Sequence, residues 1–417
     1  MKNHFKILTA IMLVTPLPIK ASPPATHLSQ FEHGVENFEL ESFYFGGEQT
    51  RFVWLNMPAF FHHVSIPAHQ TLPLNVKTDP DFAHTQIHVK GVAQSLTSYV
   101  TSDNRIDSVV VVHKGDVIFQ HYNTHQPWDR HIIWSVTKVM VSTALAKLAN
   151  QQQLNLDAPV KTYLPAFSNS DWGQKSVQEV ADMRSQMNCN DNQGFDNPLH
   201  CVYRVDEIFG IMPKKNSTLT NAKEYLMSVS ANASATRYTE YNSANTLILG
   251  FIIEAVTKKP LHQSLAELIW QPMGAEADGL MMINRFGELY AGGGISARLN
   301  DVARFGMLYT KSSNIPLVLD QNAYGLSINQ PDTFSPQRKD HLNKLFNGDS
   351  PHYSKMQWDL IWSDGDMYKD GFSGQGVYVS PANDLVIAWF GTADTNFNIH
   401  HLLPVARQLS THFRQDQ

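Results

Sequence analysis

A serine followed three positions later by a lysine, Ser135-Val136-Thr137-Lys138, is the pair in this 417-residue chain best suited to covalent catalysis. A free hydroxyl is hardly ionised near neutral pH. Attack on a carbonyl therefore needs a neighbouring base, and a lysine serves only if burial lowers its pKa. If a helix begins at or just before Ser135, positions i and i+3 share a face and the Lys138 amine sits over the Ser135 hydroxyl. The residues that follow supply the burial. Val139, Met140, Val141, Ala144, Leu145, Ala146, Leu148 and Ala149 leave only a narrow polar stripe, which predicts a central helix buried nearly all round. About one Ser-x-x-Lys is expected by chance in a chain of this length, so the surrounding elements must carry the argument.

Two later stretches offer partners. Tyr241-Asn242-Ser243 runs straight into Asn245 to Lys258, an apolar helical pattern closed by Pro260. Alone, it would read as a tyrosine anchored by its hydroxyl at a helix start. Lys369-Asp370-Gly371-Phe372-Ser373-Gly374-Gln375 leads into two strand-like runs joined by a turn at Pro381 to Asp384. A matching hairpin precedes the serine, with Ser108 to Val112 and Val117 to Tyr122 flanking a turn that contains Gly115. The last helix, Leu402 to Phe413, would pack on the strands. Strands at both ends with helices between predict an α+β fold, one antiparallel sheet assembled from the two termini. The run Gly292-Gly293-Gly294 resembles a phosphate loop only superficially, because no Lys-Ser/Thr follows it. Asn300 is the expected N-cap of the helix after it.

Composition removes several classes of function. With 42% hydrophobic and 17% charged residues the chain is an ordinary globular protein. Lys2 and Lys6 precede an apolar run, Ile7 to Ile19, that ends at the small residue Ala21. Residues 1–21 therefore read as a signal peptide, too short and too rich in proline for a stable membrane span. The mature protein is expected to be exported, periplasmic or secreted. Removing that segment takes away three lysines and no acid, leaving 29 basic residues against 38 acidic ones, which argues against nucleic acid. The only cysteines, Cys189 and Cys201, can close a small loop in an oxidising compartment. None of the 19 histidines shows metal-ligand spacing, so no metal or other cofactor is expected.

Taken together, Ser135-x-x-Lys138, Tyr241-x-Ser243 106 residues after the serine, and Lys369-Asp370-Gly371 entering a strand are similar to the motifs of the serine β-lactamase and DD-peptidase superfamily. The resemblance spans roughly Asp107 to Phe390. It is strongest to the class C-like branch that includes esterases and 6-aminohexanoate-dimer hydrolases. It implies an antiparallel sheet flanked by helices plus a mostly helical lobe. The expected organisation is an N-terminal arm or lid over 22–104 and a hydrolase domain over 105–417, with the sheet from 105–125 and 365–392 and the helical lobe about 155–290.

The departures matter. The third motif usually reads Lys-Thr-Gly or His-x-Gly, and Asp370 puts a carboxylate where a substrate carboxylate is normally received. Phe372-Ser373-Gly374 is an alternative register for the same motif. Ser243 stands where class C β-lactamases carry asparagine. These changes favour the ester- and amide-hydrolase end of the superfamily.

By resemblance, Ser135 forms an acyl-enzyme with a small-molecule ester or amide, and Lys138 and Tyr241 share the proton transfers. The oxyanion would be held by the backbone N–H of Ser135 and of the residue after the third motif, Phe372 in one register and Gln375 in the other. β-Lactamase or DD-peptidase activity is the first alternative. A non-hydrolytic binding protein that keeps the fold is the second.

Overall fold

Four consecutive valines, Val109 to Val112, divide the core. Successive side chains of a strand point to opposite faces, and here Val110 and Val112 join one apolar cluster while Val109 and Val111 join another. They belong to the strand Ile106–His113, the sixth in an eight-stranded sheet. Its order is Tyr353–Lys355, Trp358–Ile361, Met367–Gly371, Gln375–Ser380, Leu385–Gly391, Ile106–His113, Asp116–Tyr122 and Asn75–Val76. Every neighbouring pair is antiparallel except the last, which is parallel. On one face lies the C-terminal helix Leu402–Gln415, whose Leu402, Val405, Ala406 and Leu409 meet Ile387 and Trp389. On the other lie the helices Val136–Asn150, Ser243–Thr257 and Leu299–Met307.

This computed structural model describes residues 31–40, 43–191, 196–216, 218, 220–312 and 333–415. The chain divides after Asn37. Of the first unit only 31–37 are described, with a helix over 31–36, and the expected signal segment lies outside the described residues.

The α+β architecture matches the expectation, with three corrections. The sheet is wider than 105–125 plus 365–392, because 353–361 and 75–76 extend its two edges. A second, four-stranded sheet runs His63–Ile66, Gly279–Met282, Ile295–Ala297 and His131–Ile132, so strands interrupt the lobe assigned as helical. Residues 63–66 and 75–76 pair within these sheets, so position 104 is not a structural boundary. Local alternation could not show this, since two- to four-residue strands carry almost no periodicity. The helix Leu299–Met307 starts one residue before Asn300, with Arg298 at its N-cap.

The helix Val136–Asn150 lies at the centre because its surface is apolar almost all round; from Val136 to Leu148 only Lys147 escapes full burial. Its buried hydroxyls are satisfied. Ser142 donates to Met356 O at 2.8 Å, and Thr143 shares a hydrogen bond with the Tyr309 hydroxyl at 2.6 Å.

Candidate active site

Chain direction reverses sharply at Trp134. The strand His131–Ile132 pairs with Ile295–Ala297, the helix begins at Val136, and only Ile133 to Ser135 separate them. Trp134 makes the reversal with φ +45°, a left-handed conformation that costs a non-glycine residue about 1–3 kcal/mol. Ser135 is the helix N-cap, and its side chain caps nothing. Its hydroxyl accepts instead from Lys138 Nζ at 2.8 Å.

Lys138 is 1% exposed and also donates a short hydrogen bond to the Gly292 carbonyl. Burial pulls its pKa down to about 7, helped by the nearby Lys369 and opposed by the field of Asp191. The Gly-rich run is thus explained without phosphate. Added Cβ atoms at Gly293 and Gly294 would press on Trp134 and on the Tyr290 backbone, so these glycines let the loop close beneath the helix and offer Gly292 O to the lysine.

Tyr241 leads into the helix Ser243–Thr257, capped by Asn242. The Lys138 and Lys369 amines lie 5.2 and 4.6 Å from its ring centroid. Lys369 Nζ donates to the Tyr241 hydroxyl at 3.0 Å. Burial, reinforced by Asp359 and Asp191, raises the Tyr241 pKa well above its ordinary value. These shifts favour the protonated phenol beside an amine drawn toward its neutral form.

Lys369 reaches Tyr241 from the strand Met367–Gly371, while Phe372-Ser373-Gly374 forms the turn that follows. Lys369 does not pair with Asp370. Its partner is Asp359 Oδ1 at 2.7 Å, while Asp359 Oδ2 accepts from the Asp370 backbone N–H at 2.9 Å. Strand alternation turns Asp370 toward the face of Tyr368, whose hydroxyl donates to it at 2.7 Å. Burial and Asp359 push the Asp370 pKa up to about 7. Gly371 is pinned between Ile133 and Gln375; a Cβ there would lie 2.6 Å from Ile133 O and from Gln375 Cβ. That contact sets the start of the Phe372 turn against Ile133–Ser135. Gln375 faces Gly371 in the ladder, and its side chain donates to Phe372 O at 2.8 Å, bracing the turn.

Ser243 borders the same cavity as Lys138, but its hydrogen bonds go to Asp191. Its N–H donates to Asp191 Oδ1 at 2.8 Å and its hydroxyl makes a short hydrogen bond to Asp191 Oδ2. Cys189 and Cys201 are joined, two residues from Asp191.

Ser135, Lys138, Tyr241, Ser243 and Phe372 border a cavity of about 690 Å³. Its lining includes Asp191, Asp206, Asp359 and Asp370, and at one end Arg338, Leu342 and Leu345 of the helix Pro336–Leu345. Among the described residues no cluster of His, Cys, Asp or Glu is arranged to hold a metal, and no helix is long and apolar enough to cross a membrane.

Residues 92–406 match the family described as Beta-lactamase. The chain belongs to the beta-lactamase family. A 6-aminohexanoate-dimer hydrolase of Paenarthrobacter ureafaciens is 25% identical over 284 residues, covering 67% of this chain and 71% of that one. A Bacillus anthracis structure provisionally named as a 6-aminohexanoate-dimer hydrolase superposes with TM-score 0.71 at 21% identity, covering 89% of this chain and 94% of its own. A class C beta-lactamase from Rhodobacter sphaeroides gives 0.50 at 14% identity, over 76% and 97%. At these identities the two solved structures establish the fold alone.

Within this beta-lactamase-family site, several groups have no sequence signal that would have found them. Asp359 and Asp206 lie in stretches that match no motif, and Gly292 acts through a carbonyl that every residue possesses. Tyr44 and Trp134 could have been suspected only as aromatics. Asp206 accepts from the Tyr290 hydroxyl at 2.8 Å, and burial raises its pKa to about 7.

Proposed function

We propose that the protein is an exported serine hydrolase that cleaves neutral or amine-bearing carboxylic esters or amides through an acyl-enzyme on Ser135. The observation that carries this reading is the 2.8 Å contact between Ser135 Oγ and a buried Lys138 whose pKa lies near 7. Neutral Lys138 takes the hydroxyl proton as Oγ bonds to the substrate carbonyl carbon. Charge develops on the carbonyl oxygen, to be held by the backbone N–H groups of Ser135 and Phe372. Collapse expels the alcohol or amine, which takes the Tyr241 proton, and the phenolate recovers one from the Lys138 ammonium. Water then attacks the acyl carbon, yielding a proton to Lys138, and as the tetrahedral intermediate collapses the departing Ser135 oxygen takes that proton back from the Lys138 ammonium.

Charge supports the substrate class. Four carboxylates border the cavity, and Lys369, the cation at the third motif, is occupied by Asp359. Arg338 is then the lining cation left to meet an anionic substrate group, against four acidic side chains. The relative named 6-aminohexanoate-dimer hydrolase supports an amide bond as the target, since its name describes two joined amino-acid units. Export rests on the N-terminal segment and on the Cys189–Cys201 bond.

Purified protein should hydrolyse short-chain nitrophenyl esters much faster than a chromogenic cephalosporin, and a fluorophosphonate probe should label the wild type but not Ser135→Ala. Labelling of Ser135→Ala would remove the nucleophile assignment. Faster turnover of the cephalosporin would favour the β-lactamase reading, and labelling without turnover of any substrate the binding-protein reading.

A further inference from the structure

The oxyanion site of the proposed reaction is gripped by a part of the chain that precedes the family segment 92–406. Phe43, Tyr44 and Trp54 surround the Trp134 ring, with centroids 5.5, 5.5 and 5.6 Å away. Tyr44 and Trp54 also reach Phe372, at 5.3 and 6.3 Å, and Trp134 and Phe372 are themselves 6.0 Å apart. Trp134 and Phe372 come from opposite halves of the chain. Trp134 precedes the residue carrying one proposed oxyanion donor, and Phe372 carries the other. Each therefore reports the position of one backbone N–H, and the same aromatic cluster touches both.

This segment is bolted down. Gly46, at φ +78°, packs so closely on 393–394 that an added Cβ would lie 2.4 Å from Asp394 O. Gly47 N–H donates to Ala393 O at 2.8 Å. The helix Gly47–Leu55 carries both Arg51 and Trp54. Arg51 Nε donates at 2.6 Å to the fully buried Asp107, which also accepts from Thr392 at 2.7 Å. The helix is thereby tied to the main sheet, and Trp54 presses from a fixed base.

We infer that the aromatic arm Phe43–Trp54 is a positioning element that sets the spacing of the Ser135 and Phe372 backbone N–H donors, with Trp54 as its central residue. Trp54 is wholly buried and does not border the cavity, so it acts through Trp134 and Phe372 and not on substrate. The inference rests on the proposed reaction.

The test compares wild type, Trp54→Leu and Trp54→Phe on a nitrophenyl ester and on the matching thionoester, whose larger sulfur is a weaker hydrogen-bond acceptor. Removing one oxyanion donor typically costs about 100- to 1,000-fold in rate, so a displaced donor should cost part of that. Trp54→Leu is expected to lower ester kcat at least about tenfold, leave KM within about twofold, and reduce the ester-to-thionoester rate ratio. Trp54→Phe keeps a ring between the two partners and gives up only an indole N–H without a partner among the described residues, so it should restore most of both. Should Trp54→Leu fail to fold, Phe43→Leu carries the same measurement. A folded leucine variant with wild-type kcat and rate ratio, or one changed in KM alone, overturns the inference. A wild type without Ser135-dependent hydrolysis removes the reaction itself and the arm's role with it.

Discussion

Lys369 Nζ stands 2.7 Å from Asp359 Oδ1 and 3.0 Å from the Tyr241 hydroxyl, so one cation is divided between a carboxylate and a phenol. The carboxylate takes most of the charge. Were Asp359 neutral, Lys369 would draw Tyr241 toward the phenolate and deprive it of the proton the leaving group needs.

Asp359→Asn should therefore move the alkaline limb of the kcat–pH profile to lower pH. It should also cost stability, on the order of 3–5 kcal/mol, because it strands a buried cation. An unmoved alkaline limb would show that Asp359 does not govern the tyrosine.

Lys138 sets the other limb. With a pKa of about 7, it gives kcat/KM an acid limb near pH 7, and Lys138→Arg should be inactive because a guanidinium stays protonated. Its folded pKa lies below the unfolded 10.5, so between about pH 7 and 10.5 the unfolded chain binds more protons and Lys138 adds stability as pH rises. Below pH 7 that contribution is lost. Urea midpoints of wild type should accordingly gain on those of Lys138→Met from pH 7 to 9.5, and a constant difference would contradict the depressed pKa.

Asp370 makes discrimination pH-dependent. Its carboxyl, held near pKa 7, is largely neutral at pH 6 and anionic at pH 8. The ratio of kcat/KM for a neutral ester over an anionic cephalosporin should rise across that interval. Asp370→Asn should flatten the rise, and Asp370→Thr should raise β-lactam acylation. A ratio that climbs equally in Asp370→Asn would place the discrimination elsewhere.

The Cys189–Cys201 bond secures Asp191, which accepts from Ser243 and whose N–H donates to Tyr241 O at 2.9 Å. Replacing both cysteines by alanine should cost about 3 kcal/mol in the chain-entropy model. It should also lower kcat by loosening Tyr241. Thermal unfolding and esterase assays on wild type and variant test both parts, and a variant that loses stability with full kcat would limit the disulfide to a structural role.

The sequence by itself determined the elements with strong local signals. The buried helix after Ser135, the hairpins on either side of the sheet and the Ser135-x-x-Lys138 pair follow from periodicity, turn residues and an i, i+3 spacing, all properties of neighbouring residues. Only the tertiary structure decided which lone side chains meet. Lys369 chose Asp359 over its neighbour Asp370 because alternation sends adjacent strand residues to opposite faces, while a residue on the next strand lies within reach. The short strands within 63–76 and the aromatic grip of Trp54 on both Trp134 and Phe372 were equally hidden. These contacts join residues between about 40 and 320 positions apart, and no local pattern constrains which distant partners folding will bring together.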